Sequence, residues 1–375
     1  MSLVIDADAH ANENTAAWTD LAAKRPDWLT FGTDGDAMVA MIEGRPYPKQ
    51  SGRGRGVPIE SSILPAALHG AFDVHQRLRD MDTDEIDVQV MYGGLSIGIT
   101  GYEDAGLAAD VAEAYNGWLL TDLCAADPSR LKGVATVPLQ DTARAIAELQ
   151  RATAAGAVAV TIPPVVGDRN LDDPSLLDFF AAAEEADVAL GVHSAPGMHL
   201  PLPAAGRFDN YVQVHLLSFP VDQMVAFTAL VFGGVLDRFP RLRVAFLEAG
   251  IGWVPWFIER AHEHHEKRAD LVPDMQEDPA AYIERGQCFF SFECEDSFLE
   301  LYVDRLGADS VVFASDYPHW DAEFPGTVAE AREIAAPLGE EVTAKVLGTN
   351  ALRLYGLDPA DLGRVGSSGV TAATA

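Results

Sequence analysis

Cysteine is scarce in this chain. Three occur among 375 residues, Cys124, Cys288 and Cys294. Their number is odd and no Cys-x-x-Cys pair is present, which argues against a disulfide framework and for a reducing compartment. Positive charge is scarce as well. Lys and Arg total 26 against 57 Asp and Glu, a formal net charge of −31. A chain this acidic repels phosphate backbones and anionic lipid, so neither nucleic acid nor a membrane is expected as a partner. We find no apolar run of membrane-spanning length, and no basic segment leading into an apolar one near the N-terminus. A cytoplasmic location is expected. No Gly-x-Gly-x-x-Gly follows the first apolar run, which leaves an open, doubly wound sheet without support.

What the chain does have is repetition. Short apolar, β-branched runs recur at Leu3–Asp8, Ile86–Tyr92, Gly133–Val137, Val158–Ile162, Val188–His193, Val244–Glu248, Cys288–Phe292 and Val311–Asp316. Near-continuous apolar runs fit strands covered on both faces. Helical periodicity lies between most of them, as in Asp141–Ala155, Pro174–Ala186, Pro220–Phe239 and Asp296–Leu306. Eight such units predict an α/β fold, one (β/α)8 TIM barrel over residues 1–358. Residues 11–75 form a long insertion after strand one, rich in Gly, Pro and charge. They read either as a lid or as a surface excursion without a role. Within them, Ser51–Gly56 reads as a flexible basic loop. The small, polar tail 359–375 is expected to be disordered. The aromatic segment Trp253-Val-Pro-Trp256-Phe257 is expected under the barrel helices, with a homo-dimer interface as the alternative.

Polar residues cluster where the apolar runs stop. Asp8 and His10 follow strand one at alternate positions, so both point to one face. His193 ends strand five, and Asp316 ends strand eight in Ser315-Asp-Tyr-Pro-His-Trp320. A buried acid or imidazole needs a cation or a hydrogen-bond partner. Two carboxylates and two imidazoles suit one divalent metal ion, with Zn²⁺ as first choice and Mn²⁺ or Fe²⁺ as alternatives. Strand four ends Val160-Thr161-Ile162-Pro163 with no Lys to bridge a second ion. Glu248, ending strand six, could support a ligand, be a fifth one, act as an acid or base, or hold a loop. His319 could reach the substrate or cap a loop, and His215 is equally open. Glu293 and Glu295 read as loop charges. His262, His264 and His265 lie in a charge-dense stretch that marks a solvated helix face.

With these residues the chain resembles the amidohydrolase-related family, the branch of the amidohydrolase superfamily that includes aminocarboxymuconate-semialdehyde decarboxylase. The matching stretches are Asp6-Ala-Asp8-Ala-His10-Ala-Asn-Glu13, Gly191-Val-His193, Phe239 through Gly250, and Ser315-Asp316-Tyr-Pro-His319. The resemblance implies a mononuclear metal-dependent barrel with Asp8, His10, His193 and Asp316 as ligands. It implies a non-oxidative decarboxylase of a small unsaturated or aromatic acid first. A hydrolase using a metal-activated water comes second, with a small carboxylate or carbonyl compound as substrate. A non-catalytic barrel scaffold is the remaining reading. Asp316 is expected to be the acid/base, with Glu248, His215 and His319 as further catalytic candidates. Two positions depart from the family pattern. Asp8 stands where His or Glu is common. Glu248 stands where the characterised decarboxylases carry a His, and it cannot supply that residue's positive charge.

Overall fold

The structure, a computed structural model, describes residues 2–201 and 203–364. Eight parallel strands form one sheet in chain order: Ile5–Ala11, Val88–Gly93, Leu131–Thr136, Ala159–Ile162, Ala189–Val192, Val244–Phe246, Cys288–Phe292 and Val311–Phe313. Each coincides with an expected apolar run. The chain past strand eight closes the circle against strand one. Asp316 N donates to Asp8 O at 3.0 Å, and His10 N donates to Tyr317 O at 2.7 Å. The two strand ends expected to carry metal ligands are therefore hydrogen-bonded neighbours. The result is the expected (β/α)8 barrel.

Its core has two layers. Ile5, Ala7, Val88, Val90, Val134 and Phe289 pack together inside the barrel. Ala9, Ala11, Met91, Val160, Phe246 and Phe290 pack outside it, against the helices. Strand one changes sides between Ala7 and Ala9. Its pairing with strand two slips at that point, from Asp6 opposite Gln89 to Ala9 opposite Met91. A regular strand starting from Ile5 and Ala7 inside would turn Asp8 and His10 toward the helices. The extra residue reverses the alternation and brings both side chains to the barrel mouth. The opposite end is plugged by the helix Asn350–Tyr355. Tyr355 there donates its hydroxyl to Ala7 O at 2.6 Å.

The helices follow the expected periodicity, with shifted ends. Asp141 caps Thr142–Ala154 by accepting from Arg144 N, satisfying a free backbone donor. The helix expected from Pro220 begins at Tyr211 instead, capped by Asn210, and runs to Phe232 through the proline. Gly233 and Gly234 interrupt it before Val235–Arg238, with Gly234 at φ 71°. By length and composition alone Tyr211–Phe232 is long and apolar enough to cross a membrane, but 56% of that window is buried within the fold. Its buried face lies on the barrel. Gln223 donates to Val192 O and Leu247 O, both at 2.9 Å, tying the ends of strands five and six. Trp256 also departs from expectation. It is exposed, whereas Trp253 and Phe257 are partly buried.

The insertion is ordered. Leu29–Asp34, Ala37–Ile42 and Arg45–Pro46 form an antiparallel sheet. The Ser51–Gly56 segment, expected to be flexible, is docked. Gly54 N donates to Phe208 O and Gly56 N to Lys49 O, both at 2.8 Å, and Asp34 accepts from the Ser51 hydroxyl. Part of the tail, residues 365–375, lies outside the described residues.

Candidate metal centre

Asp8 and His10 reach the barrel mouth from strand one, and His193 follows strand five. Single ligand atoms of these three lie within 4.8 Å of one another. Asp316, His319 and Glu248 form a second such group, which shares His10. The four expected ligands thus fall into two overlapping sets. His10 Nε2 lies 3.7 Å from Asp8 Oδ1 and 3.1 Å from Asp316 Oδ1. His193 Nε2 lies 2.9 Å from Glu248 Oε2. Glu248 and Asp316 both have left-handed backbone, at φ 54° and 53°. Such conformations in non-glycine residues cost energy, and they concentrate at functional sites.

The imidazoles are pre-set. His10 Nδ1 lies 2.9 Å from Gly93 O, and His193 Nδ1 lies 2.6 Å from Ser194 O. A carbonyl only accepts, so each Nδ1 carries a proton and each ring turns its Nε2 to the centre. Asp8 Oδ1, His10 Nε2, His193 Nε2 and Glu248 Oε2 are buried and make no well-aligned hydrogen bond, facing only one another and Asp316. Unsatisfied buried groups of this kind are costly. Converging here, their nitrogen and oxygen atoms match the donor set of a divalent ion, so the residues present fit a metal.

Electrostatics point the same way. Burial pushes the Asp8 carboxyl well above the usual range, and nearby Asp316 and Glu248 push it further. Burial also raises Glu293 strongly, with Asp316 and Glu248 adding to the effect. That corrects the loop-charge reading of Glu293. Its carboxyl belongs to the acidic cluster, while Glu295 is exposed as expected. Burial would raise Asp316 too, but His319 and His10 outweigh it and hold the carboxylate below its ordinary range. His319 loses basicity to burial and regains more from Asp316, which lifts it to about 9. Its ring stacks on His10 at 4.0 Å between centroids.

His215 enters from the helix Tyr211–Phe232. Its Nε2 lies 3.8 Å from Glu248 Oε1 and 3.5 Å from Asp321 Oδ2. Burial lowers its basicity, but contact with Glu248 and then Asp321 overcomes this and raises it. Asp321 escaped the sequence reading. It lies beyond any strand, and only its position two residues after His319 hinted at a role. Burial raises it to about 7, with Asp316 and Glu248 contributing. His262 and His264 are exposed and His265 partly so, on the helix Trp253–Arg268, as a solvated face requires.

A cavity of about 520 Å³ opens over the centre. His10, His193, Glu248, His215 and His319 contribute to its lining, as do Phe31 and Met38 from the insertion. Strand ends and following loops thus meet at the face where barrels of this kind place their chemistry.

The family model for amidohydrolases matches residues 5–357. This chain belongs to the amidohydrolase family. Among its relatives, 2-amino-3-carboxymuconate-6-semialdehyde decarboxylase of Dictyostelium discoideum is 29% identical over 294 residues, 77% of this chain and 78% of the relative. An amidohydrolase from Mycobacterium avium subsp. paratuberculosis shares the fold with a TM-score of 0.75 at 22% identity, over 95% of this chain and 99% of the other. A dihydroxybenzoic acid decarboxylase from Polaromonas sp. was solved with bound manganese and the inhibitor 2-nitroresorcinol. It matches with a TM-score of 0.70 at 19% identity, over 96% and 99% of the two chains.

Proposed function

We propose that this amidohydrolase is a metal-dependent, non-oxidative decarboxylase of a small unsaturated or aromatic carboxylic acid. One observation carries the reading. Among the described residues, the cavity above the orphaned nitrogen and oxygen atoms is lined by no Lys or Arg. An anionic substrate in so acidic a site has to be held by a metal ion and by imidazolium groups. The decarboxylase relatives support the choice of reaction.

Asp8, His10, His193 and Asp316 would hold one divalent ion, which when bound supplies positive charge and polarises a substrate oxygen. The donor set accommodates Zn²⁺ and Mn²⁺ alike, and metal analysis after growth with both distinguishes them. Asp316 is held ionised by its histidines, which suits a ligand or a base and not a proton donor. His215 takes the donor role. Glu248 and Asp321 keep its imidazole protonated at the cavity wall. The imidazolium gives its proton to the carbon bearing the carboxylate. The electrons of the breaking C–C bond return to the substrate's unsaturated system as CO₂ leaves. Glu248 thus does not replace the strand-six His of the family pattern. It holds a histidine that comes from another element.

The test is to incubate metal-loaded protein with candidate unsaturated and aromatic acids and follow CO₂. Release of CO₂ without heavy oxygen from labelled water in the organic product is expected. Labelled oxygen appearing in an acid product, with no CO₂, would establish the hydrolytic alternative, in which ionised Asp316 acts as base. Purified protein that holds less than about half an equivalent of metal after metal-rich growth would favour a scaffold.

A further inference from the structure

The centre accounts for only part of the cavity lining. The insertion supplies another part, and its chemistry is different. Phe31 pairs with Ala40 and Thr33 with Met38 across two antiparallel strands. Opposed residues share a face, and so do residues two apart along a strand, so Phe31, Met38 and Ala40 form one apolar surface. All three line the cavity. Phe31 is 74% exposed and Met38 67%, although both could pack if the strands turned their other face inward. From the opposite side come Ile59 and Phe72, exposed by 42% and 49% and also lining the cavity. Apolar side chains left open around a cavity mouth are characteristic of a ligand-binding groove.

The insertion is also tied to the centre. Leu64 N donates to Pro318 O at 2.9 Å, and Ile63 forms a bridge with His319. The segment around Ile63 and Leu64 is thereby fastened to the Asp316–His319 loop. Phe31 and Met38 line the same cavity as His10, His193, His215 and His319, so one ligand can meet both groups.

We propose that Phe31 and Met38 form a subsite for an apolar substituent on the substrate, opposite its carboxylate. This deepens the decarboxylase reading, on which it rests, by naming the class: an acid with an oxygen-rich head and an alkyl or aryl tail. A bare monocyclic acid would leave the outer apolar wall wet. Each methylene buried there strengthens binding about fourfold.

The experiment uses the full, metal-loaded chain and two probes, 2-hydroxybenzoate and 4-butyl-2-hydroxybenzoate. Dissociation constants come from titration calorimetry, and CO₂ release is followed in parallel. Wild type is expected to bind the butyl acid at least tenfold more tightly than the parent. In the F31A/M38A double variant that ratio falls toward one. A control substitution, Phe298→Ala, lies outside the cavity lining and leaves the ratio as in wild type. Equal binding of the two probes by wild type overturns the proposal, as does a ratio that survives in F31A/M38A. CO₂ release from the parent acid with a wild-type ratio of one removes the subsite and leaves the decarboxylase reading standing. A large ratio without CO₂ from either probe does the reverse. Failure of both probes to bind removes both. If F31A/M38A is poorly folded, Phe31→Ser alone provides the same comparison.

Discussion

At the scale of single residues, the centre depends on which histidine carries a proton. His10 and His193 each donate Nδ1–H to a backbone carbonyl, which turns Nε2 toward the centre. Contact with Glu248 and Asp321 raises the basicity of His215. Replacing His215 with Asn should lower kcat by about 10²- to 10⁴-fold, the usual contribution of a proton-transferring group. Metal content should stay near that of wild type. Metal loss in His215→Asn would instead make His215 a ligand. The candidate ligands were legible in the sequence because Asp8, His10, His193 and Asp316 all interrupt apolar runs, where an unpaired polar group cannot rest. Glu293 and Asp321 were not legible. Both follow the strands in polar stretches, and only the folded chain brings their carboxyls near Asp316 and Glu248. Glu248 was legible as a site residue, but its partner His215 was not assignable, because the two meet through helix packing and not through sequence proximity.

Secondary-structure elements show a similar division. All eight strands were readable, since parallel strands buried on both faces are apolar almost throughout. Helix ends were less so. Pro220 looks like a start, yet Asn210 supplies the cap ten residues earlier and the helix runs through the proline. The slip in strand one could not be read at all. Ile5-Asp-Ala-Asp-Ala-His10 alternates perfectly by eye, and the extra residue shows only in the pairing with strand two. Tyr355 supports that irregular backbone from below, donating to Ala7 O at 2.6 Å and lying 3.1 Å from the Tyr92 hydroxyl. Removing its hydroxyl strands a buried carbonyl. Tyr355→Phe should therefore cost about 1–3 kcal/mol, measured by denaturant unfolding. Metal affinity should fall too, because the slip is what aims Asp8 and His10. A stability loss with unaltered metal affinity would show that strand one keeps its shape without this support.

For the whole molecule, the dominant fact is negative charge, on the surface and also deep inside. Asp222 is completely buried and, among the described residues, meets no cationic partner, only the Ser194 hydroxyl at 2.6 Å. Burial lifts its pKa from 3.8 to about 7, partly opposed by that hydroxyl. The folded state thus holds this proton more tightly than the unfolded chain. The group's favourable contribution is full below about pH 4 and is lost as pH rises toward about 7. Asn mimics the protonated form and does not titrate. Asp222→Asn should therefore be more stable than wild type at pH 8, on the order of 1–4 kcal/mol, with the difference shrinking toward zero near pH 4.5. Thermal unfolding of both proteins at the two pH values, with chelator present so that metal loading does not vary, measures the gap. A gap that stays constant with pH would mean that Asp222 is ionised in the fold, and that water or backbone rearrangement solvates its charge.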